Sequence, residues 1–79
     1  MAFREVTLDG TRWSVSLLAE RSPQSAVWRM VLGFRGPAAQ QRSIWATYPH
    51  EFPSRSAVYA QAERLTDATL AAVLAERIR

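Results

Sequence analysis

The chain contains no cysteine and only one histidine among its 79 residues. Without cysteine it can form no disulfide and offers no thiolate as a nucleophile or metal ligand. A zinc site needs about four ligands drawn from cysteine, histidine and carboxylate, and the seven acidic residues are scattered. The sequence therefore predicts no metal centre, and no motif in it calls for any other cofactor. The lack of cysteine also fits a reducing compartment.

Catalytic motifs are missing as well. The three glycines are isolated, so the chain has no glycine-rich loop to hold a phosphate. No serine lies in the Gly-x-Ser-x-Gly turn of the α/β-hydrolases. The single histidine, His50, lies in a proline-bounded segment, and we interpret it as a solvent-facing or capping residue. We therefore expect that this protein is not an enzyme.

No apolar run approaches the roughly 20 residues that a helix needs to cross a bilayer. The first five residues, Met-Ala-Phe-Arg-Glu, carry charge where a signal peptide would have its apolar core. These features predict a small, soluble, cytoplasmic protein that does not enter the membrane.

Lysine is absent too, so all ten basic residues are arginine. A codon bias toward arginine would account for this composition, and arginine also suits stacking on aromatic rings and two-pronged binding of carboxylate or phosphate. The net charge is +3, and the excess lies entirely in residues 1–48, which hold six arginines and three acids. An excess of this size permits an anionic partner but does not require one.

The clearest folding signal is Asp9-Gly10, which lies between two stretches of alternating apolar and polar residues. This pair favours a two-residue hairpin turn of type I′, in which both turn residues have positive φ. Such a turn fixes the register so that Val6 faces Trp13. One face of the hairpin is then apolar and the other polar, which is typical of a sheet covered on one side. The apolar set is Val6, Leu8, Trp13, Val15 and Leu17.

Two further strands are predicted, over about 26–34 and about 41–48. In the first, Trp28, Met30, Leu32 and Phe34 share the bulkier face, which should point to the core. In the second, the pattern slightly favours Ile44, Ala46 and Tyr48 inward, which leaves open whether Trp45 is a core or a surface residue. Regular structure should then pause between Pro49 and Pro53, because proline lacks a backbone donor and restricts the residue before it. Phe52 in this loop is expected to fill the gap between sheet and helices.

Helical spacing begins after this loop. Ser54 and Thr66 are suitable N-caps, and Leu65 with Leu70 forms a hydrophobic staple. Beyond Thr66, an apolar stripe of Leu70, Val73, Leu74 and Ile78 follows the helical repeat. The pattern fits one kinked helix or two short helices meeting at Leu65, and it favours two.

Together these elements predict a single α+β domain over residues 1–79. Its sheet, in residues 1–48, is a four-stranded antiparallel meander. The helical segment, residues 54–79, covers one face of that sheet with one or two helices, so that the apolar face and the apolar stripe bury each other. No internal repeat or linker divides the chain.

The uncovered sheet face is the one candidate site that remains. Arginine next to tryptophan is typical of protein interfaces, so we expect a non-catalytic interaction or accessory domain that binds a protein partner or a second copy of itself, through this face or a sheet edge. The alternative is single-stranded nucleic acid, since an aromatic and arginines on an open sheet can stack bases and neutralise phosphates. If Trp45 is instead a core residue, the surface does not exist. The predicted partner-binding residues are Arg12, Arg29, Val31, Arg35, Arg42 and Trp45.

Overall fold

A computed structural model describes residues 3–37 and 43–78. It shows one antiparallel sheet followed by two helices, in the order ββββαα. The strands lie side by side in chain order, as in a meander. The predicted α+β architecture is therefore confirmed. The elements are β1 (Arg4–Leu8), β2 (Thr11–Arg21), β3 (Trp28–Arg35), β4 (Ile44–Phe52), α1 (Arg55–Arg64) and α2 (Asp67–Ile78).

The first hairpin forms as its turn sequence predicts. Asp9 and Gly10 both have positive φ, 52° and 80°, as a type I′ turn requires. Val6 pairs with Trp13, and every other pair in β1 and β2 follows the expected register. Phe3, which precedes β1, packs against the core cluster although strand parity would place it on the opposite face.

Strand β4 differs from its prediction. Its described part continues through Pro49 and His50 to Phe52, where we expected a loop. The strand tolerates Pro49 because β4 is an edge strand and Pro49 lies between Thr47 and Glu51, in a stretch with no residue paired to β3. The pairing of β3 with β4 is irregular here. Val31 pairs with Thr47 and Arg29 pairs with Glu51, so two residue steps on β3 correspond to four on β4. The start of the predicted strand, at 41 and 42, lies outside the described residues.

The extended β4 also changes how two of its aromatic residues are used. Phe52 pairs with Trp28 across the sheet and packs against the core, with its ring stacked 6.5 Å from that of Tyr48. Phe52 thus contributes to the core from a strand rather than from a loop. The ring of His50 lies 5.2 Å from the Tyr48 ring on an exposed part of β4.

The helical segment consists of two helices rather than one kinked helix. The Ser54 hydroxyl accepts a hydrogen bond from the Ala57 amide at 3.1 Å, and the Thr66 hydroxyl accepts one from the Thr69 amide at 3.1 Å. Each hydroxyl satisfies a backbone donor that the first helical turn leaves free, so both predicted caps are confirmed.

One apolar core lies between the sheet and the helices. Phe34, Met30, Leu32 and Leu74 are among its fully buried side chains, and Trp13 and Trp28 pack against it. Ile44, Ala46 and Tyr48 also face this side. One residue of the predicted stripe is outside the core: Ile78, the last residue of α2, remains 46% exposed.

Arg4 joins β1 to both helices. Its guanidinium donates hydrogen bonds to the Leu65 and Ala62 carbonyls at the C-terminal end of α1. It also lies 3.6 Å from a carboxylate oxygen of Asp67, the first residue of α2. The positive charge therefore meets the negative end of one helix and an acid at the start of the next.

Candidate interaction surface

The face of the sheet opposite the helices is the candidate site, and we call it the open face. Strand register arranges its side chains in rows that cross β2, β3 and β4. The first row is charged, the second largely apolar, the third holds Trp45, and the fourth is polar. In strand order the rows are Glu20, Arg29 and Glu51; Leu18, Val31 and Thr47; Ser16, Gly33 and Trp45; and Ser14 with Arg35.

Trp45 lies on the open face and is 50% exposed. Its indole ring covers Gly33, the residue directly opposite on β3. A Cβ atom at position 33 would come within 2.7 Å of the indole Cζ3, a distance that real contacts do not show. Glycine therefore allows the indole ring to lie against the sheet at this position.

Leu18 extends this apolar surface onto β2. It is 49% exposed and pairs with Val31 across the strands. Leu18 was not among the predicted partner-binding residues. The alternation of the first hairpin, continued past Leu17, nevertheless places Leu18 on the same side as Ser14 and Ser16. The apolar part of the open face is therefore Leu18, Val31 and Trp45, with Gly33 beneath the ring.

Two of the predicted arginines are partnered on the open face. Arg29 donates a hydrogen bond to Glu51 at 2.8 Å, and Arg12 lies 3.3 Å from a carboxylate oxygen of Glu5. Both pairs are exposed, so each contributes little to stability, between about 0 and 1 kcal/mol. Their main effect is to reduce the positive charge that the face offers to an anion.

The structure brings together four of the six predicted partner-binding residues: Arg29, Val31, Arg35 and Trp45 occupy adjacent rows of the open face. Arg12 lies near the hairpin turn, at one end of that face. The sixth, Arg42, lies outside the described residues. Three acids, Glu5, Glu20 and Glu51, also belong to the surface. The alternation of the first hairpin predicts Glu5 there, whereas Glu20 and Glu51 were not anticipated from the sequence.

A groove of about 780 Å³ runs beside β4, where the open face meets the C-terminal turn of α2. Trp45, Thr47 and Pro49 form one wall, and Val73 and Arg77 of α2 contribute to the other. The Arg77 Nε donates a hydrogen bond to the Trp45 carbonyl at 2.9 Å. The guanidinium thus occupies one backbone acceptor, and Pro49 lacks a backbone N–H, so two groups of β4 are withdrawn from pairing with another strand.

Within residues 3–37 and 43–78, no three histidine or acidic side chains lie close enough together to share a metal ion. No helix in the same ranges is long and apolar enough to span a membrane.

Comparisons with protein-family models, with curated proteins and with solved structures each gave no match for this chain. The geometry and chemistry of the open face are therefore what indicates a function for this chain.

Proposed function

We propose that this chain is a small, non-catalytic protein-interaction domain that binds its partner through the open face of the sheet. The proposal includes the cytoplasmic location that the sequence predicts. The observation that carries it is the position of Trp45, whose half-exposed indole lies against Gly33 and forms an apolar surface with Leu18 and Val31.

The composition of this surface suits a protein partner. Exposed tryptophan and arginine are enriched among the residues that contribute most to binding energy at interfaces. An apolar centre bordered by charged side chains also follows the usual arrangement of an interface, with a dry middle and a polar rim. On the open face, Leu18, Val31 and Trp45 form the middle, and Arg29 and Glu51 belong to the rim.

The open face suits docking better than the β4 edge does. An edge binds another strand through a row of unpaired backbone groups. On β4 the Trp45 carbonyl already accepts from Arg77, and Pro49 has no backbone N–H. The side chains of the open face have no comparable obstruction.

The second candidate, single-stranded nucleic acid, is favoured by one observation: the half-exposed indole of Trp45 could stack on a base. Binding of this kind also requires cations that are free to neutralise phosphates. Because Arg12 and Arg29 are paired with Glu5 and Glu51, the same face is better suited to a protein.

Site-specific photo-crosslinking in the cell that naturally makes the chain tests the proposal. A benzophenone side chain replaces Thr47, which is exposed on the open face, or Ala60, which is exposed on α1. We expect protein adducts from position 47 and none from position 60. The adduct at position 47 should disappear when Trp45→Ser and Leu18→Ser are added, in a protein whose circular dichroism is unchanged.

Two results would contradict the proposal. One is a chain that gives no adduct at position 47. The other is an adduct that persists in the folded double variant, since it would show that the apolar centre does not contribute to binding.

A further inference from the structure

We propose that the partner of the open face is a second copy of the same chain, packed face to face about a two-fold axis that runs along the strands between β2 and β3. This inference rests on the proposed function, because it uses the same surface. It adds the identity of the partner and the pairs of residues that meet.

The arrangement of charge on the face supports this packing. The axis places β2 of one copy over β3 of the other. Each row of one copy then faces the same row of the second copy. In the charged row, Glu20 then lies over Arg29 of the second copy, and Arg29 over its Glu20. Opposite charges meet twice, and Glu51 stays beside Arg29 within each copy.

The apolar rows match in the same arrangement. Leu18 lies over Val31 of the second copy, and Ser16 over its Gly33. Trp45, on the outer strand β4, points toward the β1 side of the other copy. On that side Phe3 packs against the core. Its side chain therefore does not occupy the space on the open face that the indole of the other copy would fill.

Reversing the direction of one copy makes a poorer match. A two-fold axis across the strands, through the middle of the face, keeps β3 over β3 and exchanges the first row with the fourth. Arg29 would then face Arg35 of the second copy. Like charges in contact across an interface oppose association, so the charge pattern selects the axis along the strands.

The area of the face indicates the strength of the contact. Four strands can overlap only in the rows of Gly33 and Arg35, because β1 begins at Arg4 and no described residue of it reaches the rows of Val31 and Arg29. From the spacing of residues and strands, each copy then contributes roughly 400 Å², so two copies would bury about 800 Å² in total. This is the size of a weak, transient contact. We therefore expect a dimer that dissociates on dilution, with its two sheets packed at the angle of about −30° that twisted sheets adopt.

Analytical ultracentrifugation of two single variants and their mixture tests the pairing. In a dimer of Glu20→Arg, two arginines meet at each contact; in a dimer of Arg29→Glu, two glutamates meet. An equimolar mixture restores an opposite-charge pair at both contacts. Because each chain's own contact between positions 20 and 29 stays altered in the mixture, only pairing between chains explains a recovery.

We expect the wild-type chain and the mixture to form dimers of similar affinity, and each single variant to dimerise about tenfold more weakly or worse at low salt. Thermal melts establish that the variants fold. If Arg29→Glu, with acids on both sides, does not fold, the pair Leu18→Glu and Val31→Arg serves the same purpose, because these two positions also face each other.

A wild-type chain that remains monomeric at the highest concentration would overturn the self-association, as would variants that lose the dimer without recovering it in the mixture. The photo-crosslinking result separates this failure from failure of the proposed function. An adduct with twice the mass of the chain supports a second copy. An adduct with a different protein leaves the interaction domain standing and removes the dimer.

Discussion

At the scale of single residues, the contact between Gly33 and Trp45 determines what the open face presents. Any side chain at position 33 would collide with the indole, since even a Cβ would approach its Cζ3 to 2.7 Å. The indole is half exposed, so it can move outward when it is pushed. The position of the indole on the open face therefore depends on glycine at one position.

We expect Gly33→Ala to lift the Trp45 ring from the sheet while the core stays intact. In ¹H–¹⁵N spectra, the indole N–H signal of Trp45 should shift and exchange faster with water, whereas those of Trp13 and Trp28 should stay in place. Ser16→Ala, in the same row but without added bulk near the ring, is the control. An unmoved Trp45 signal in Gly33→Ala would contradict the close contact.

At the scale of secondary-structure elements, Arg4 connects β1 to the junction between the two helices. Its guanidinium binds the last carbonyls of α1 and lies near Asp67 at the start of α2. Hydrogen bonds to charged groups contribute about 1.5–3 kcal/mol each when they are well formed. The side chain is largely buried, so water replaces these bonds poorly when the guanidinium is removed.

We expect Arg4→Met to lower the free energy of unfolding by about 2 kcal/mol, because the Leu65 carbonyl loses its donor and the Ala62 carbonyl keeps the Leu65 amide but loses the guanidinium. Arg4→Lys should recover only part of the loss, since an ammonium cannot reach several acceptors with a planar fork. Urea denaturation followed by circular dichroism measures both. Arg64→Met, at an exposed position in the last turn of α1, should change stability by less than about 0.5 kcal/mol. Equal effects at positions 4 and 64 would refute the role of Arg4.

At the scale of the whole molecule, the helices cover one side of the sheet and leave the other exposed, and a leucine side chain lies on each side. Leu74 of α2 is fully buried in the core, and Leu18 is half exposed on the open face. A domain of 79 residues has one small core, so the loss of one large buried side chain removes a substantial part of its stability.

We therefore expect Leu74→Ala to lower the free energy of unfolding by about 2–5 kcal/mol, through lost burial and the cavity that remains. Leu18→Ala should leave stability nearly unchanged, measured on dilute protein so that association does not contribute. Urea midpoints give the comparison. Similar losses at both positions would mean that the open face is covered within a single chain.

Local sequence signals determined much of this fold. Asp9-Gly10 fixed the first turn and, through strand alternation, the pairing of Val6 with Trp13. Ser54 and Thr66 marked the starts of the two helices. These signals act over a few residues, through φ preferences and hydrogen bonds to nearby amides. They can therefore be recognised in the sequence without knowledge of distant contacts.

Tertiary structure decided the rest. Pro49 would end most strands, yet β4 continues to Phe52 because it lies at the edge of the sheet and pairs with β3 through an irregular register. The orientation of β4, and with it the exposure of Trp45, was nearly balanced in the sequence pattern. Packing resolved it: Ala46 and Tyr48 turn to the core, while the indole finds room over Gly33 on the other side. The end of β4 and the exposure of Trp45 depend on residues far apart in the chain. The room available to a side chain and its exposure to solvent are defined only once the strands and helices have assembled.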